Sequence, residues 1–238
     1  IAAHEKLYRM AQGDYLYSAA ADDDRFPNFF ESAMRIAVAH PGAGVIFGQM
    51  VIRDESGRDV GLTEVRNWTE PLYASPDRYL RECLEQEPAM QAMTGGTIFK
   101  RSAFEEVGWC RAELGSFADT FATRAIALKH GACYVPEKFY IWQRMPGSFS
   151  QTTSQNITQG IDIVARAVRL MRSEEFAGRF PEKYIRNWAW RQRCQVIWSY
   201  LLGTDDAPAG ARPSFLRRNL RRLPRLPRAA QLLFYKGS

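Results

Sequence analysis

Between Gly13 and Pro27 an apolar stretch, Tyr15-Leu16-Tyr17-Ser18-Ala19-Ala20, runs into three adjacent carboxylates, Asp22-Asp23-Asp24, and the chain then turns at Pro27. Like charges in a row repel, so a fold tolerates them cheaply only beside solvent, helix N-termini or a cation. Hard divalent cations take carboxylate oxygens, and magnesium is usually held by one or two carboxylates completed by substrate phosphates. The same run also reads as an acidic loop in front of a helix that starts near Phe29.

Along the rest of the chain α and β patterns alternate. Ala2 to Ala11 reads as a helix, Leu16–Ala20 as a strand and Phe29–Ala39 as a second helix. Gly44–Arg53 is a β-rich run ending in the turn residues Asp54-Glu55-Ser56-Gly57-Arg58. Arg66–Pro76 reads as irregular and aromatic, and Asp77–Glu87 as a short helix stopped by Pro88. Thr94–Lys100 reads as a strand whose paired glycines, Gly95 and Gly96, let something approach the backbone closely. They mark either a strand bend or a place where another group comes close to the backbone.

Phe121, Ala125 and Leu128 recur at helical spacing, which predicts a helix over Thr120–His130 with Asp119 at its N-terminal edge. An acid there serves as a helix cap. The strand Tyr140-Ile141-Trp142-Gln143-Arg144 offers aromatic faces and a guanidinium fork suited to sugar or phosphate, or is simply packed before the Met145-Pro146-Gly147 turn. Beyond Thr153 the pattern turns helical. Ile161, Val164, Val168 and Met171 share a helix face, and Tyr184–Leu202 is a second helix rich in tryptophan. Gly203–Pro213 has the composition of a linker.

A chain of 238 residues that is 46% hydrophobic and 13% aromatic can bury a real core. Cys83, Cys110, Cys133 and Cys194 lack metal-ligand spacing and read as buried thiols of a reducing compartment. His4, His40 and His130 are scattered and suggest neither a zinc site nor a triad. Eight of the 32 Lys and Arg, and none of the 26 acids, lie between Ala211 and Ser238, which leaves 24 bases against 26 acids in the body. The basic character therefore belongs to the tail. There Leu216, Leu220 and Leu223 share a helix face opposite Arg217, Arg218, Arg221 and Arg222. Residues 212–238 are expected to dock on an anionic membrane surface, with packing back onto the body as the alternative. The leucines give nucleic acid no obvious use.

Several motifs in order resemble the family 2 glycosyltransferases, inverting nucleotide-sugar enzymes of the GT-A fold. They are Gly13-Asp14-Tyr15, an apolar strand, Asp22-Asp23 with Pro27, Thr94-Gly95-Gly96-Thr97, Val107-Gly108, Asp119, and Lys129-His130-Gly131 with Tyr134-Val135-Pro136-Glu137. The resemblance covers about residues 1–150. It implies an α/β, GT-A-like mixed sheet flanked by helices over residues 1–152, to which the residue patterns above add a helical extension over 153–203 and a linker and basic amphipathic tail over 204–238.

It further implies transfer of a hexosyl or related group from a nucleotide-diphosphate-sugar donor to an acceptor hydroxyl, with inversion. Asp22 and Asp23 would hold a divalent cation, Mg²⁺ or Mn²⁺. Asp22, Gly95 and Gly96 would line the donor, and Asp119 would be the base. A carbohydrate or lipid-linked acceptor, polysaccharide or glycolipid assembly in the cell envelope, and a cytoplasmic location at the inner membrane face follow from the resemblance alone. Ala20 stands where many relatives carry a further Asp, and Ala118 where they often have Glu. The match begins in mid-domain, so the family's first nucleotide-binding half is expected to precede Ile1, and residues 1–238 alone to be inactive. A nucleotidyltransferase-like enzyme and a non-catalytic membrane or nucleic-acid module are the rival readings.

Overall fold

The structure, a computed structural model, describes residues 2–85, 94–143 and 157–202. These fall into two compact units. Glu113–Ser116 joins the C-terminal helices, and the remaining described residues up to Gln143 form the sheet unit.

The sheet unit contains α1 (Ala2–Met10), β1 (Tyr15–Tyr17), β2 (Asp24–Arg25), α2 (Phe29–Ala39), β3 (Val45–Arg53), β4 (Asp59–Thr63) and β5 (Leu72–Ala74). It continues with α3 (Pro76–Tyr79), β6 (Thr97–Lys100), α4 (Arg101–Glu106), α5 (Ala118–His130) and β7 (Ala132–Gln143). The strands make one mixed sheet in the order β1-β6-β3-β7-β2, with β4 on β3 and β5 on β7. Among the described residues only β3 and β7 run parallel. A central strand covered on both faces must be apolar almost throughout, and β3 buries Val45, Ile46, Phe47, Met50 and Val51.

The two faces of β3 have different coverings. Ile46 and Met50 pack with Phe29, Ala33, Ile36 and Ala37 of α2 and with Phe139. Phe47 points the other way, into an aromatic group with Trp68, Tyr79 and Tyr134, whose ring centroids lie 6.3, 6.4 and 5.1 Å from its own. Trp68 satisfies its indole N–H on Glu82 at 2.8 Å.

The β3–β7 register slips between Gly48 and Gln49, so that Gly48 faces Val135 while Gln49 faces Lys138. Pro136 lies in the looped-out part, where its missing N–H costs no ladder bond. Glu137 in the same bulge accepts hydrogen bonds from Asn28 at 2.5 Å and Ser32 at 2.8 Å, which ties it to α2. Past the bulge, β7 carries Tyr140 and Ile141 to pair with Arg25 and Asp24 of β2.

Several sequence expectations shift. The first strand is Tyr15–Tyr17, shorter than Leu16–Ala20. The Arg66–Pro76 segment contains β5, held by antiparallel pairing to Ala132, Cys133 and Tyr134. Over the described part of 77–87 the helix is a single turn, α3, capped by Ser75, followed by a wider π-type turn over Leu80–Leu84. Thr94–Gly96 is a 3₁₀ turn, and strand β6 begins only at Thr97. The four cysteines are buried and unpaired.

The second unit is built on α6 (Ile157–Met171) and α7 (Glu182–Leu202). Ile157 and Ile161 pack against Val196 and Ile197. Gly160 lets the helices touch, since a Cβ there would lie 2.7 Å from Val196 Cγ1. Trp188 is buried. No helix among the described residues is long and apolar enough to cross a membrane. The linker and basic tail lie outside the described residues, as do Arg144 and the Met145-Pro146-Gly147 turn.

Candidate active site

The acidic run leaves the end of β1 and is not a free loop throughout. Asp22 is exposed, Asp23 is half-buried, and Asp24 already belongs to β2. The Asp23 carboxylate is gripped at both oxygens. Oδ1 accepts the Gln143 backbone N–H at 2.7 Å, and Oδ2 accepts the Tyr140 hydroxyl. Burial holds the Asp23 carboxyl above its ordinary range. The donors from Tyr140 and Gln143 pull the other way, and the Asp22 and Asp24 charges add to the rise. Burial, then the contact with Asp23, pushes the Tyr140 hydroxyl upward.

Tyr140 also meets the glycine pair. A side chain at Gly95 would overlap the Tyr140 ring and hydroxyl, and one at Gly96 would lie 3.4 Å from Tyr140 Cβ. The close approach that the glycines permit is thus made, at Gly95, by Tyr140. The Gly95 carbonyl accepts the Tyr17 hydroxyl at 2.9 Å, which fastens the turn to β1. Arg25 lies over the Tyr17 ring, 5.8 Å from its centroid. The Thr94–Gly96 turn touches β3, β7 and α5.

Asp119 sits in the first turn of α5, half-buried. The helix begins two residues earlier than the spacing predicts, with Phe117 at the cap position and no side-chain cap bond. Asp119 Oδ1 accepts the Thr120 backbone N–H at 2.6 Å and the Thr120 hydroxyl at 3.2 Å. One of the free donors of the first turn is satisfied in this way, and the carboxylate is oriented by it. Cys110 is pushed up to about 12, by burial first and then by the Asp119 and Glu5 charges. The buried Tyr8 of α1 also lies within reach of the Asp119 charge.

No protein-family model matches the chain, and no curated protein sequence does. Solved structures do. S. aureus TarS 1–349 in complex with UDP-GlcNAc superposes with a TM-score of 0.57 at 12% identity, over 96% of this chain and 62% of that one. A second structure of TarS 1–349 gives 0.51 at 11%, over 96% and 61%. A further structure of S. aureus TarS gives 0.50 at 11%, over 84% and 36%. The fold is that of a GT-A glycosyltransferase. This chain spans about three fifths of the length of the TarS 1–349 chains.

Within this GT-A fold, Asp23, Gly95 and Gly96 come together around Tyr140, and Asp22 lies near enough for its charge to act on Tyr140. Asp119 stands apart on α5, the helix touched by the glycine turn. The donor chemistry suits a hard cation. Asp22 is exposed with no hydrogen-bond partner among the described residues, and each gripped oxygen of Asp23 keeps a lone pair. Among the described residues no group of three or more His, Cys, Asp or Glu forms a protein-only cage. That leaves the pattern of one or two carboxylates completed by substrate phosphate and water. Sequence reasoning missed Tyr140 and Gln143 as partners of Asp23. The only hint was the aromatic character of β7.

Proposed function

We propose that the protein is an inverting, family 2-like glycosyltransferase. It moves a sugar from a nucleotide-diphosphate-sugar donor to a hydroxyl of a carbohydrate or lipid-linked acceptor. One observation carries the reading: in a GT-A fold, an acidic run leaves a strand end with Asp22 open to solvent and Asp23 fixed by two donors.

In this reading Asp22 and Asp23 hold Mg²⁺ or Mn²⁺ together with the donor diphosphate. When bound, the cation offsets charge that develops on the departing nucleotide. Gly96 and the turn around it border the donor. Asp119 takes the proton of the acceptor hydroxyl, with its carboxylate pre-oriented by the Thr120 N–H. Inversion requires that base on the face of the sugar opposite the leaving nucleotide. The setting is polysaccharide or glycolipid assembly at the cytoplasmic face of the cell membrane, with residues 212–238 on the anionic surface.

The test is turnover. The full-length protein, given a panel of nucleotide-diphosphate sugars, a glycan or glycolipid acceptor mixture and Mn²⁺, should release nucleoside diphosphate and form a product of inverted anomeric configuration by NMR. A product with retained configuration would overturn the mechanism, and release unaffected by Asp23→Ala would overturn the site.

A further inference from the structure

We propose that Tyr140 is the positioning residue that sets the Asp23 carboxylate for its cation, and that Gly95 is glycine in order to admit it. The inference rests on the reading of Asp23 as a cation-holding acid.

A carboxylate on a short side chain can rotate, and a rotating ligand binds a cation poorly. Groups behind a metal ligand that fix its orientation matter nearly as much as the ligand itself. Asp23 has two such groups, both on β7. The Gln143 N–H belongs to the backbone and comes with the strand. The Tyr140 hydroxyl is the side-chain contribution, and several features of the fold converge to place it. The slip in register around Pro136 brings Tyr140 opposite Arg25, two residues from Asp23. The ring is buried, and it fills the space that any side chain at position 95 would need. The Tyr17 hydroxyl holds the Gly95 carbonyl at 2.9 Å, which opposes a shift of the turn to make room. The chain of dependence therefore runs from Gly95 through the Tyr140 ring to Asp23 Oδ2. A methyl group at position 95 acts on the cation site without touching it, by displacing the tyrosine.

The expected size of the effect follows from comparable supporting groups, whose loss typically weakens metal binding about 10–100-fold. Tyr140→Phe keeps the ring and removes only the hydroxyl, so it tests the contact without opening a cavity. The experiment counts free Mn²⁺ by electron paramagnetic resonance during titration of the full-length protein. Urea midpoints on the same samples show that each variant is folded. Asp23→Ala should abolish binding, and Tyr140→Phe should weaken it about tenfold. Gly95→Ala should weaken it comparably and also lower the urea midpoint. In the double variant, Gly95→Ala should add no further loss of Mn²⁺ affinity to that of Tyr140→Phe, because both act through the same hydroxyl. Unchanged affinity in Tyr140→Phe, with Asp23→Ala still binding nothing, overturns the role of Tyr140 and leaves Asp23 as the ligand. Unchanged affinity in Asp23→Ala overturns the reading of the site, and this inference with it.

Discussion

Replacing Asp23 by alanine should destabilise the metal-free protein. A purely cation-holding acid would behave in the opposite way, because removing one of three adjacent like charges relieves repulsion. Here the carboxylate accepts two donors. The Tyr140 hydroxyl belongs to a side chain only 4% exposed, and stranding a buried donor costs about 1–3 kcal/mol. The Gln143 N–H is half-buried and partly regains water, so its loss is worth about 0.5–1.5 kcal/mol. Relief of repulsion from the exposed Asp22 and Asp24, together with relief of the desolvation that holds the Asp23 carboxyl above its ordinary range, returns about 1–2 kcal/mol. The net loss is about 1 kcal/mol, which for a chain of this size lowers Tm by roughly 2–4 °C. Asp23→Asn keeps one accepting oxygen, and the tyrosine hydroxyl can turn to accept from the amide. That variant should lose less than half as much stability while still losing the cation. Both follow from calorimetry in excess chelator with circular dichroism as a check. An Asp23→Ala protein as stable as the wild type, or more so, would refute the claim that β7 anchors this residue.

Three further outcomes are expected. Asp119→Asn should retain donor and Mn²⁺ binding while turnover falls about 10²–10⁴-fold, read by product formation under saturating donor; an unchanged rate would make the residue a helix-end group only. Glu106 is held at about 2 because Lys129 and His130 donate to it, against the opposing effect of burial. Its folded value lies below the unfolded one, so its contribution is full above about pH 4.5 and is lost as pH falls through about 2. A side chain one third exposed limits that contribution to about 1 kcal/mol, so in urea titrations the deficit of Glu106→Gln should shrink across this window. Deleting residues 212–238 should abolish sedimentation with anionic liposomes and leave neutral ones unaffected; equal pelleting of both forms would remove the membrane role.

The features legible in the sequence were those with a local or periodic signature. The apolar run Val45-Ile46-Phe47 could only be a covered strand, and Phe121, Ala125 and Leu128 could only share a helix face. The acidic run announced itself by its charge. What stayed hidden was non-local. β5 is three residues long, and its strand character comes from pairing with Ala132–Tyr134, 58 to 62 positions away in the chain. The hydrogen bond from Tyr140 to Asp23 spans 117 residues and depends on the bulge at Pro136. Gly95 was legible as a place of close approach, but which group approached it was not.

The most direct test of the account is the coupling of nucleotide sugar to metal. Binding of UDP-, GDP- and dTDP-sugars to the full-length protein should be measured by saturation-transfer NMR with Mg²⁺ and by calorimetry with Mn²⁺, each repeated in chelator. At least one donor should bind with the cation present, weaken at least tenfold without it, and lose that dependence in Asp22→Ala and Asp23→Ala. Cation-independent binding that survives both substitutions would contradict the account, as would no binding of any nucleotide sugar.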